Sequence, residues 1–358
     1  MNKRYCQKLF TEIFTDSASR YRFCCHANTN PKIEGMTVLN TLPFDFFRGP
    51  EMEQIRQDVM EDKPIAGCEV CYTQEKNGHK SYRQGYNENN EHPTTVQKID
   101  LKLRIFGTLC NLGCYMCIPF DSSTRRKELQ QAGLKDMWHD FEKENWSEDK
   151  PVNIGQKRYQ ELEDDLIANI DYCTKLRFYG GEPLMLPRVK SFLERIPEDK
   201  ARNIDVLIST NLTQNTQMLH WIRKRFRRLI LNVSVDHYGS KLAWIRYPID
   251  VAEFERNLEE FRPYVNELSV AVSMLNVYDL KQIEEHYRLP IDWVAVHNPR
   301  TLSIRNIPDK DRVRYIPTKD IEDELFKEAN NDSYLQGVEY VNRLEAHRGF
   351  VFGGHNHV

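Results

Sequence analysis

The chain has 358 residues, of which 40% are hydrophobic and 29% charged, and its formal net charge is -3. The apolar share is enough for a large buried core and excludes an intrinsically disordered chain, while the near-neutral charge gives no general attraction for nucleic acids or anionic membranes. No segment approaches eighteen uncharged apolar residues, and the first twenty residues lack the apolar stretch of an export signal. We therefore expect a cytoplasmic protein with one large and one small domain.

Residues 1–92 are predicted to form a small metal-binding module. Two β-prone runs flank the turn sequence DSAS, which indicates a β-hairpin, and a helical segment follows at residues 49–64. In a chain without an export signal, clustered cysteines bind metals more often than they form disulfides. Cys6, the adjacent pair Cys24 and Cys25, and the pair Cys68 and Cys71 provide enough thiols for one closed site, with zinc or an iron–sulfur cluster.

Residues 93–300 alternate between strand-like and helix-like patterns. The segment KIDLKLRIF places apolar side chains on every second residue, which is typical of a strand. Five further strand candidates follow, separated by helical segments: TKLRFYGG, DVLISTN, LILNVSVD, ELSVAVSML and DWVAVHN. Repeated strand–helix units indicate a parallel sheet. The expected fold is therefore α/β, a partial (β/α)6 TIM-like barrel with its ligand site at the carboxyl ends of the strands.

Residues 301–358 are expected to close the barrel. The sequence LSIRNIP at 302–308 predicts an outer strand, and KDIEDELFKEA and YLQGVEYVNRLEAHRG predict two helices. The charged stretch at 121–155 is longer than one crossover requires and has a helical composition, as expected for a lid or a surface insertion.

The first barrel strand leads into CNLGCYMC, which places Cys110, Cys114 and Cys117 in one loop. Structural zinc requires four ligands, and a closed iron–sulfur cluster requires four thiolates. Three thiolates on a four-iron cluster leave one iron open to a substrate or cosubstrate. The absence of a fourth nearby cysteine is then the functional feature of this loop.

This spacing, C-x3-C-x-aromatic-x-C with Tyr115 as the aromatic residue, resembles the signature of the radical S-adenosylmethionine (SAM) enzymes. Further strand-end segments resemble the motifs of that family, in the order in which the family has them. They are Gly180-Gly181-Glu182-Pro183, Ser209-Thr210-Asn211, Ser234-Val235-Asp236 with Arg246, and Leu275-Asn276. The resemblance implies a 4Fe-4S cluster with an open iron and SAM as cosubstrate, with Tyr115, Gly180, Gly181 and Ser234 in the cosubstrate site.

The resemblance also implies individual roles. Glu182 binds the amino group of the methionine moiety, since a carboxylate pairs with an ammonium, and Ser209 and Asn211 contact the ribose and the carboxylate. Arg246 holds the carboxylate, and Asn276 contacts the adenine. Reductive cleavage of SAM then yields a 5′-deoxyadenosyl radical that abstracts hydrogen from the substrate. A flavodoxin- or ferredoxin-type protein is the implied electron donor.

The N-terminal cysteines resemble an auxiliary-cluster module of the twitch type, placed before the barrel instead of after it. The resemblance rests on the cysteine pattern and on the following E-x2-G-x2-S-x-R sequence, which comprises Glu75, Gly78, Ser81 and Arg83. It implies a second, closed 4Fe-4S cluster, with zinc as the alternative, held by Cys6, Cys24, Cys68 and Cys71. Cys24 is preferred to Cys25 because neighbouring residues of an extended chain point to opposite faces.

The substrate and reaction outcome are left open by the sequence, and a peptide or small molecule is favoured. Asp236 and His297 lie at the expected rim of the barrel and are the candidates for substrate contact. The basic run RKRFRR at 223–228 keeps an RNA-modifying radical SAM enzyme as one alternative. A non-catalytic zinc-binding protein is the other alternative.

Overall fold

The computed structural model describes residues 3–16, 18–88, 92–96, 98–119, 121–134, 154–329 and 331–349. Eight strands form one sheet in the order β2-β1-β3-β4-β5-β6-β7-β8. β1 pairs in parallel with β3, and each neighbouring pair from β3 to β8 is also parallel. β2 pairs with β1 in antiparallel orientation. The strands are β1 Glu12–Thr15, β2 Tyr21–Arg22, β3 Ile99–Lys102, β4 Cys173–Phe178, β5 Asp205–Thr210, β6 Arg228–Ser234, β7 Val265–Val272 and β8 Ile291–Ala295.

Helices connect these strands and cover one side of the sheet. The first five are α1 Lys8–Thr11, α2 Pro43–Arg48, α3 Pro50–Met60, α4 Glu69–Lys76 and α5 Tyr82–Asn87. Those from the cysteine loop onward are α6 Ser123–Gln131, α7 Gln156–Ala168, α8 Pro187–Arg195, α9 Glu198–Ala201, α10 Thr216–Arg225, α11 Gly239–Ile245, α12 Val251–Phe261, α13 Leu280–Tyr287, α14 Lys319–Leu325 and α15 Asn331–Arg348. Of the helices in the described part of the chain, none is long and apolar enough to cross a membrane.

The six predicted barrel strands are confirmed as β3 to β8, and in β3, β6 and β7 burial follows the two-residue period. In β7, Leu268, Val270 and Val272 are buried, whereas Ser269 and Ala271 between them are half-buried. The buried set packs into the apolar core, because alternate side chains of a strand point to opposite faces. The other face of the sheet carries polar side chains together with apolar ones such as Leu207, Ile230 and Ala271.

The predicted N-terminal hairpin is confirmed as β1 and β2. The first half of the predicted segment begins as a helix, however, and β1 also joins the main sheet. α1 occupies Lys8–Thr11, and β1 then pairs in parallel with β3, where Ile13 lies opposite Leu101. The predicted helix at 49–64 is present as α3. The module also contacts α14, which packs against β8, since Tyr82 Oη lies 3.5 Å from Asp320 Oδ2. These contacts bring the two ends of the sheet toward each other.

The predicted outer strand at 302–308 is wrong, because two short 3-10 turns occupy this segment. They span Arg300–Leu302 and Ile304–Asn306. Ser303 stabilises the second turn by accepting a hydrogen bond from Arg305 N–H and by donating one to Glu324 Oε1 at 2.7 Å. These local bonds satisfy polar groups that a strand would have to pair elsewhere.

The two predicted C-terminal helices are confirmed as α14 and α15. Of the charged stretch at 121–155, the first part forms α6. Most of the remainder, residues 135–153, lies outside the described residues, so its expected role as lid or insertion stays a prediction.

Candidate cluster and cosubstrate site

The three cysteines of the CNLGCYMC sequence lie in one loop after β3. Cys114 is buried, and Cys110 and Cys117 are half-buried. Burial raises the pKa of all three thiols, that of Cys110 to about 11, and the charge of a Cys114 thiolate raises the pKa of the other two further. The three thiols are therefore close neighbours in a poorly solvated place.

The GGEP segment after β4 is bonded to the backbone on either side of this loop. Gly181 N–H donates to Asp121 O at 2.7 Å, and Glu182 N–H donates to Leu109 O at 2.8 Å. Gly181 has φ +60°, and a Cβ built there would lie 2.5 Å from Leu109 O. Only glycine allows this approach, because it accepts a positive φ and has no Cβ. The cysteine loop and the GGEP segment thus form one structural unit.

Glu182 is fully buried, and its carboxylate accepts three hydrogen bonds. The donors are Thr210 Oγ1 at 2.7 Å, Asn211 N–H at 2.7 Å and Leu184 N–H at 3.2 Å. Burial raises the pKa of Glu182 to about 7, against the opposing effects of these donors and of Arg246. Within the described residues, no Lys, Arg or His comes within 4.0 Å of this carboxylate as an ion-pair partner. A buried carboxylate in this state fits an ammonium ligand.

The residues after β5 bond to the cysteine loop as well. Asn211 Nδ2 donates to Asn111 Oδ1 at 2.9 Å and lies 4.0 Å from Cys110 Sγ, while its Oδ1 accepts from Thr213. The Ser209 and Ser234 side chains lie at the ends of β5 and β6 and are half-buried. The segment similar to the family's ribose-contacting motif is therefore in contact with the thiol loop.

Arg246 lies at the end of α11, beside the thiols. Its Nε is 2.7 Å from Asp236 Oδ2, and its Nη1 is 4.0 Å from Cys114 Sγ. Burial lowers the pKa of the guanidinium, but the negative charges of Asp236 and Cys114 outweigh this effect and raise it. Asp236 is completely buried and also accepts from Ala271 N–H at 2.8 Å. Asp236 is thus positioned to orient Arg246, and the Asp236 carboxylate does not face solvent.

The structure places two other predicted residues, Asn276 and His297, in different surroundings. Asn276 Nδ2 donates to Asp236 O at 2.9 Å and to Ala271 O at 3.1 Å, so its amide closes the loop after β7. His297, after β8, is 59% exposed, and its Nδ1 lies 3.3 Å from Glu324 Oε2 in α14. Of the two rim candidates, only His297 is accessible.

Sequence reasoning missed a set of buried charges behind the cysteine loop. Arg125 and Glu128 of α6 and Arg348 of α15 form two ion pairs, with Arg125 Nη1 2.5 Å and Arg348 Nε 2.7 Å from the Glu128 carboxylate. The Arg348 guanidinium also lies 4.5 Å from the centre of the Tyr115 ring. Glu128 and Arg348 are 220 residues apart in the chain, so no local sequence signal could have indicated their contact.

The N-terminal cysteines form a second group of neighbouring thiols. Charge on Cys6 raises the pKa of both Cys24 and Cys68, and charge on Cys71 raises the pKa of Cys6, although burial is the largest cause for each. Backbone N–H groups lower these pKa values, from Lys8 for Cys6 and from His26 for Cys24. Hydrogen bonds of this kind to sulfur are typical of iron–sulfur sites.

The E-x2-G-x2-S-x-R sequence holds the same group together. Glu75 accepts from Ser81 Oγ at 2.5 Å and from Arg83 Nε at 3.1 Å. Arg83 also donates to Tyr5 O at 3.0 Å, and its charge lowers the pKa of Cys71, which burial raises. The motif therefore places a cation beside the thiols.

Cys25 points away from this group. It is exposed, and its Sγ lies 3.9 Å from Tyr86 Oη. Burial raises its pKa, but a hydrogen bond from His26 and the charge of Lys102 in β3 outweigh that effect and lower the pKa to about 7. Cys24 and Cys25 thus have different neighbours. The predicted extended chain at this pair is wrong, because the residues lie in a turn in which Ala27 N–H donates to Cys24 O at 3.2 Å.

Neither thiol group has the form of a site for a single ion. Within the described residues, no three His, Cys, Asp or Glu side chains converge closely enough to hold one metal ion. Each thiolate of a 4Fe-4S cluster binds a different iron, so the sulfurs of a cluster site lie farther apart than those around one zinc ion.

The chain is similar to a known protein family and to solved structures. The model of the family described as the Radical SAM superfamily matches residues 105–289, just over half of the chain. No curated protein matches.

Two solved structures of SuiB from Streptococcus suis are similar. One, bound to S-adenosylmethionine, has 12% identity and a TM-score of 0.33, covering 67% of this chain and 46% of that one. The other, bound to precursor peptide SuiA, has 11% identity and a TM-score of 0.35, covering 88% and 54%. This chain spans about half the length of SuiB.

Proposed function

The chain belongs to the radical SAM superfamily, and we propose that it binds a 4Fe-4S cluster through Cys110, Cys114 and Cys117 and cleaves S-adenosylmethionine reductively. The observation that carries the proposal is the Glu182 carboxylate, buried beside the cysteine loop with no cationic partner in the described chain. A non-catalytic zinc protein has no need for such a group. When bound, the reduced cluster supplies the electron that breaks a carbon–sulfur bond of SAM and releases the 5′-deoxyadenosyl radical.

The residues around the loop bind and orient the cosubstrate. Glu182 accepts the ammonium of the methionine moiety, and Arg246, held by Asp236, binds its carboxylate. The positive φ values of Gly180 and Gly181, together with the absence of a Cβ, let the backbone approach the same moiety closely. Tyr115, Ser209, Asn211, Ser234 and Asn276 complete the cosubstrate site, with Asn276 acting through the loop that its amide closes.

We assign a second, closed 4Fe-4S cluster to Cys6, Cys24, Cys68 and Cys71 in a twitch-like module of residues 1–92. The support is the mutual effect of these thiols on their pKa values, with backbone donors and Arg83 beside them. With four protein ligands, such a cluster has no open iron and serves electron transfer or substrate positioning.

The substrate is proposed to be a polar small molecule or a peptide. The face of the sheet opposite the helices carries half-buried polar and charged side chains, among them Lys102, Arg177, Asn232 and Glu267. Contacts between the N-terminal module and α14 support a partial barrel enclosing this face, with residues 93–300 as the barrel and 301–358 closing it. A flavodoxin- or ferredoxin-type donor completes the proposed reaction.

The basic run that motivates the RNA-modifying alternative makes contacts within the fold. Arg225 of the basic run donates to Ile196 O, Arg223 donates to Tyr264 Oη at 2.8 Å, and Arg227 and Arg228 both bind the buried Asp205. These guanidinium groups are engaged in folding contacts. We expect no salt-dependent binding of tRNA, and such binding, lost on neutralising Arg223, Arg225 and Arg228, would favour the alternative.

The test is an anaerobic purification with iron, sulfide and zinc counted for the parent and for a Cys110/Cys114/Cys117 triple alanine variant. We expect about eight irons in the parent and about four in the variant, on four irons per cluster. The reduced parent should also form 5′-deoxyadenosine from SAM, and the variant should not. Four irons with one zinc in the parent would leave only the radical SAM cluster, and zinc alone would contradict the proposal.

A further inference from the structure

The buried charges behind the cysteine loop suggest a role beyond packing. The Arg125 side chain is completely buried, the Arg348 side chain is 1% exposed, and that of Glu128, between them, is 10% exposed. Burying ions is costly unless they are paired and hydrogen-bonded. This set, called the Arg125–Glu128–Arg348 cluster, joins α6 to the last turn of α15 directly behind the thiols.

Both arginines bind carbonyl oxygens of the cysteine loop. Arg348 Nη2 donates to Gly113 O, and Arg125 Nη2 donates to Tyr115 O at 3.1 Å. Gly113 and Tyr115 are the residues immediately before and after Cys114. The two guanidinium groups therefore hold the chain on both sides of the central thiol.

The N–H groups of the same two residues are held from the opposite direction. Gly113 N–H donates to Tyr247 O at 2.6 Å, and Tyr115 N–H donates to Ile245 O at 3.1 Å. Every backbone polar group of the residues flanking Cys114 is thus bonded to an element outside the loop. This preorganises the position of the thiol, as outer groups commonly do at metal sites.

The charges also lie where they affect an electron on the bound cluster. Reduction adds one negative charge, and a cation in a poorly solvated place stabilises that charge more than one in water does. Both guanidinium groups are close enough to act, because they bond to the carbonyl oxygens of the residues on either side of Cys114, and Arg246 Nη1 lies 4.0 Å from Cys114 Sγ. Glu345, which is also buried nearby, accepts a hydrogen bond from Trp244 Nε1 at 2.9 Å, and its charge is kept when Arg348 or Glu128 is substituted. Loss of the Arg348 charge and loss of the Glu128 charge therefore change the local charge in opposite directions.

We propose that the Arg125–Glu128–Arg348 cluster is a positioning element of the radical SAM site, which fixes the cysteine loop and, through its charges, sets the reduction potential of the iron–sulfur cluster bound there. The proposal rests on the proposed function, because it concerns the same cysteines. It makes the C-terminal helix a part of the redox site although it contributes no ligand.

The test compares substitutions that change charge in opposite directions. Arg348→Gln removes a positive charge, and Glu128→Gln removes a negative one. Potentiometric titrations followed by electron paramagnetic resonance would report the cluster whose signal changes on adding SAM. We expect the ratio of reduced to oxidised cluster at a fixed potential to fall about tenfold in Arg348→Gln and to rise about tenfold in Glu128→Gln, each a shift of 59 mV for one electron.

Two further variants separate charge from structure. Arg343→Gln removes an exposed arginine of the same helix, whose side chain is 42% exposed, and should leave the potential unchanged because water screens it. Arg348→Lys keeps the charge but loses the planar guanidinium, so it should restore the potential while retaining less iron per chain than the parent. Iron content and thermal unfolding are measured for every variant.

The outcomes distinguish this proposal from the proposed function. If Arg348→Gln and Glu128→Gln shift the potential in the same direction or not at all while the parent still forms 5′-deoxyadenosine, the inference is wrong and the function stands. If the parent binds no cluster at these cysteines, the function itself fails. If Arg348→Gln does not fold, the upward shift of the potential in Glu128→Gln and the unchanged potential of Arg348→Lys still test the proposal.

Discussion

The Glu182 carboxylate and the backbone N–H of Asn211 are joined by a 2.7 Å hydrogen bond that links the ends of β4 and β5. Because this carboxylate is buried, its pKa in the folded protein is about 7, above the ordinary value of 4.5. The folded chain therefore binds more protons at Glu182 than the unfolded chain does between these two values. The free energy of unfolding should fall as the pH rises from about 4.5 to about 7.

We expect this fall to disappear in Glu182→Gln. The unfolding free energy of the parent minus that of the variant should drop by about 3 kcal/mol over the interval, on 1.36 kcal/mol per pKa unit. Urea denaturation of the metal-free proteins at pH 5, 6, 7 and 8 measures it. A difference that stays constant with pH would mean that the pKa of Glu182 is not raised.

Gly181→Ala should disrupt the contact between the GGEP segment and the cysteine loop. An added methyl group would overlap Leu109 O, 2.5 Å from the Cβ position, as well as being strained at φ +60°. Gly180→Ala is the matched control, because its φ is +85° but its nearest neighbour is an Arg104 side-chain atom at 3.6 Å. We expect Gly181→Ala to lower iron retention and melting temperature clearly more than Gly180→Ala. Equal effects would leave backbone strain as the only cause.

Much of the fold was predictable because it depends on local patterns. The period of two residues identified β3 to β8, and the DSAS turn identified the hairpin. The strand at 302–308 was wrongly predicted because Ser303, Asn306 and Glu324 favour 3-10 turns through contacts that apolar alternation does not reveal. The pairing of β1 with β3 was not predicted, since periodicity does not specify which strand lies beside which.

The candidate site was likewise predictable only where it depends on local sequence motifs. Motifs indicated the thiols, the GGEP segment and Arg246, because these residues lie at strand ends in chain order. The partners that orient them were not indicated. Arg348 reaches Gly113 across 235 residues of sequence, and the pairing of Asp236 with Arg246 depends on where α11 ends. Such contacts arise only from tertiary packing.

The adjacent cysteines of the N-terminal module should behave differently. Charge on Cys6 affects the pKa of Cys24, whereas Cys25 is exposed and lies beside Tyr86. Cys24→Ser should therefore lose about four irons per chain, one cluster, and Cys25→Ser should lose none. Iron and sulfide assays after anaerobic reconstitution measure this. Loss of iron in Cys25→Ser with retention in Cys24→Ser would reverse the assignment.

Asp205 should stabilise the fold through the two arginines at the start of β6. It is fully buried between Arg227 Nε at 2.6 Å and Arg228 Nη2 at 2.5 Å. Burial raises its pKa, but these hydrogen bonds outweigh that effect and lower the pKa to about 2 from 3.8. Asp205→Asn should therefore lower the unfolding free energy by about 2 kcal/mol at pH 7, on 1.36 kcal/mol per pKa unit.

The stabilisation by Asp205 is present above pH 3.8 and is lost as the pH falls through 2, so the difference from the parent should shrink in acid. Asp171→Asn is the control, because Asp171 pairs with Lys200 on the surface, with side chains 67% and 38% exposed, and exposed pairs contribute little. Equal losses in the two variants, measured by urea denaturation, would contradict the prediction.

The parallel pairing of β1 with β3 has a consequence for dissecting the chain. Glu12, Ile13 and Phe14 lie opposite Asp100, Leu101 and Lys102, so the first barrel strand obtains one of its two neighbours from the preceding module. A fragment starting after residue 92 would expose the backbone N–H and C=O groups along that side of β3, and an uncovered sheet edge recruits strands from other molecules. Residue 92 divides the cysteine groups, but it does not mark a place where the protein can be cut into two independently expressed parts.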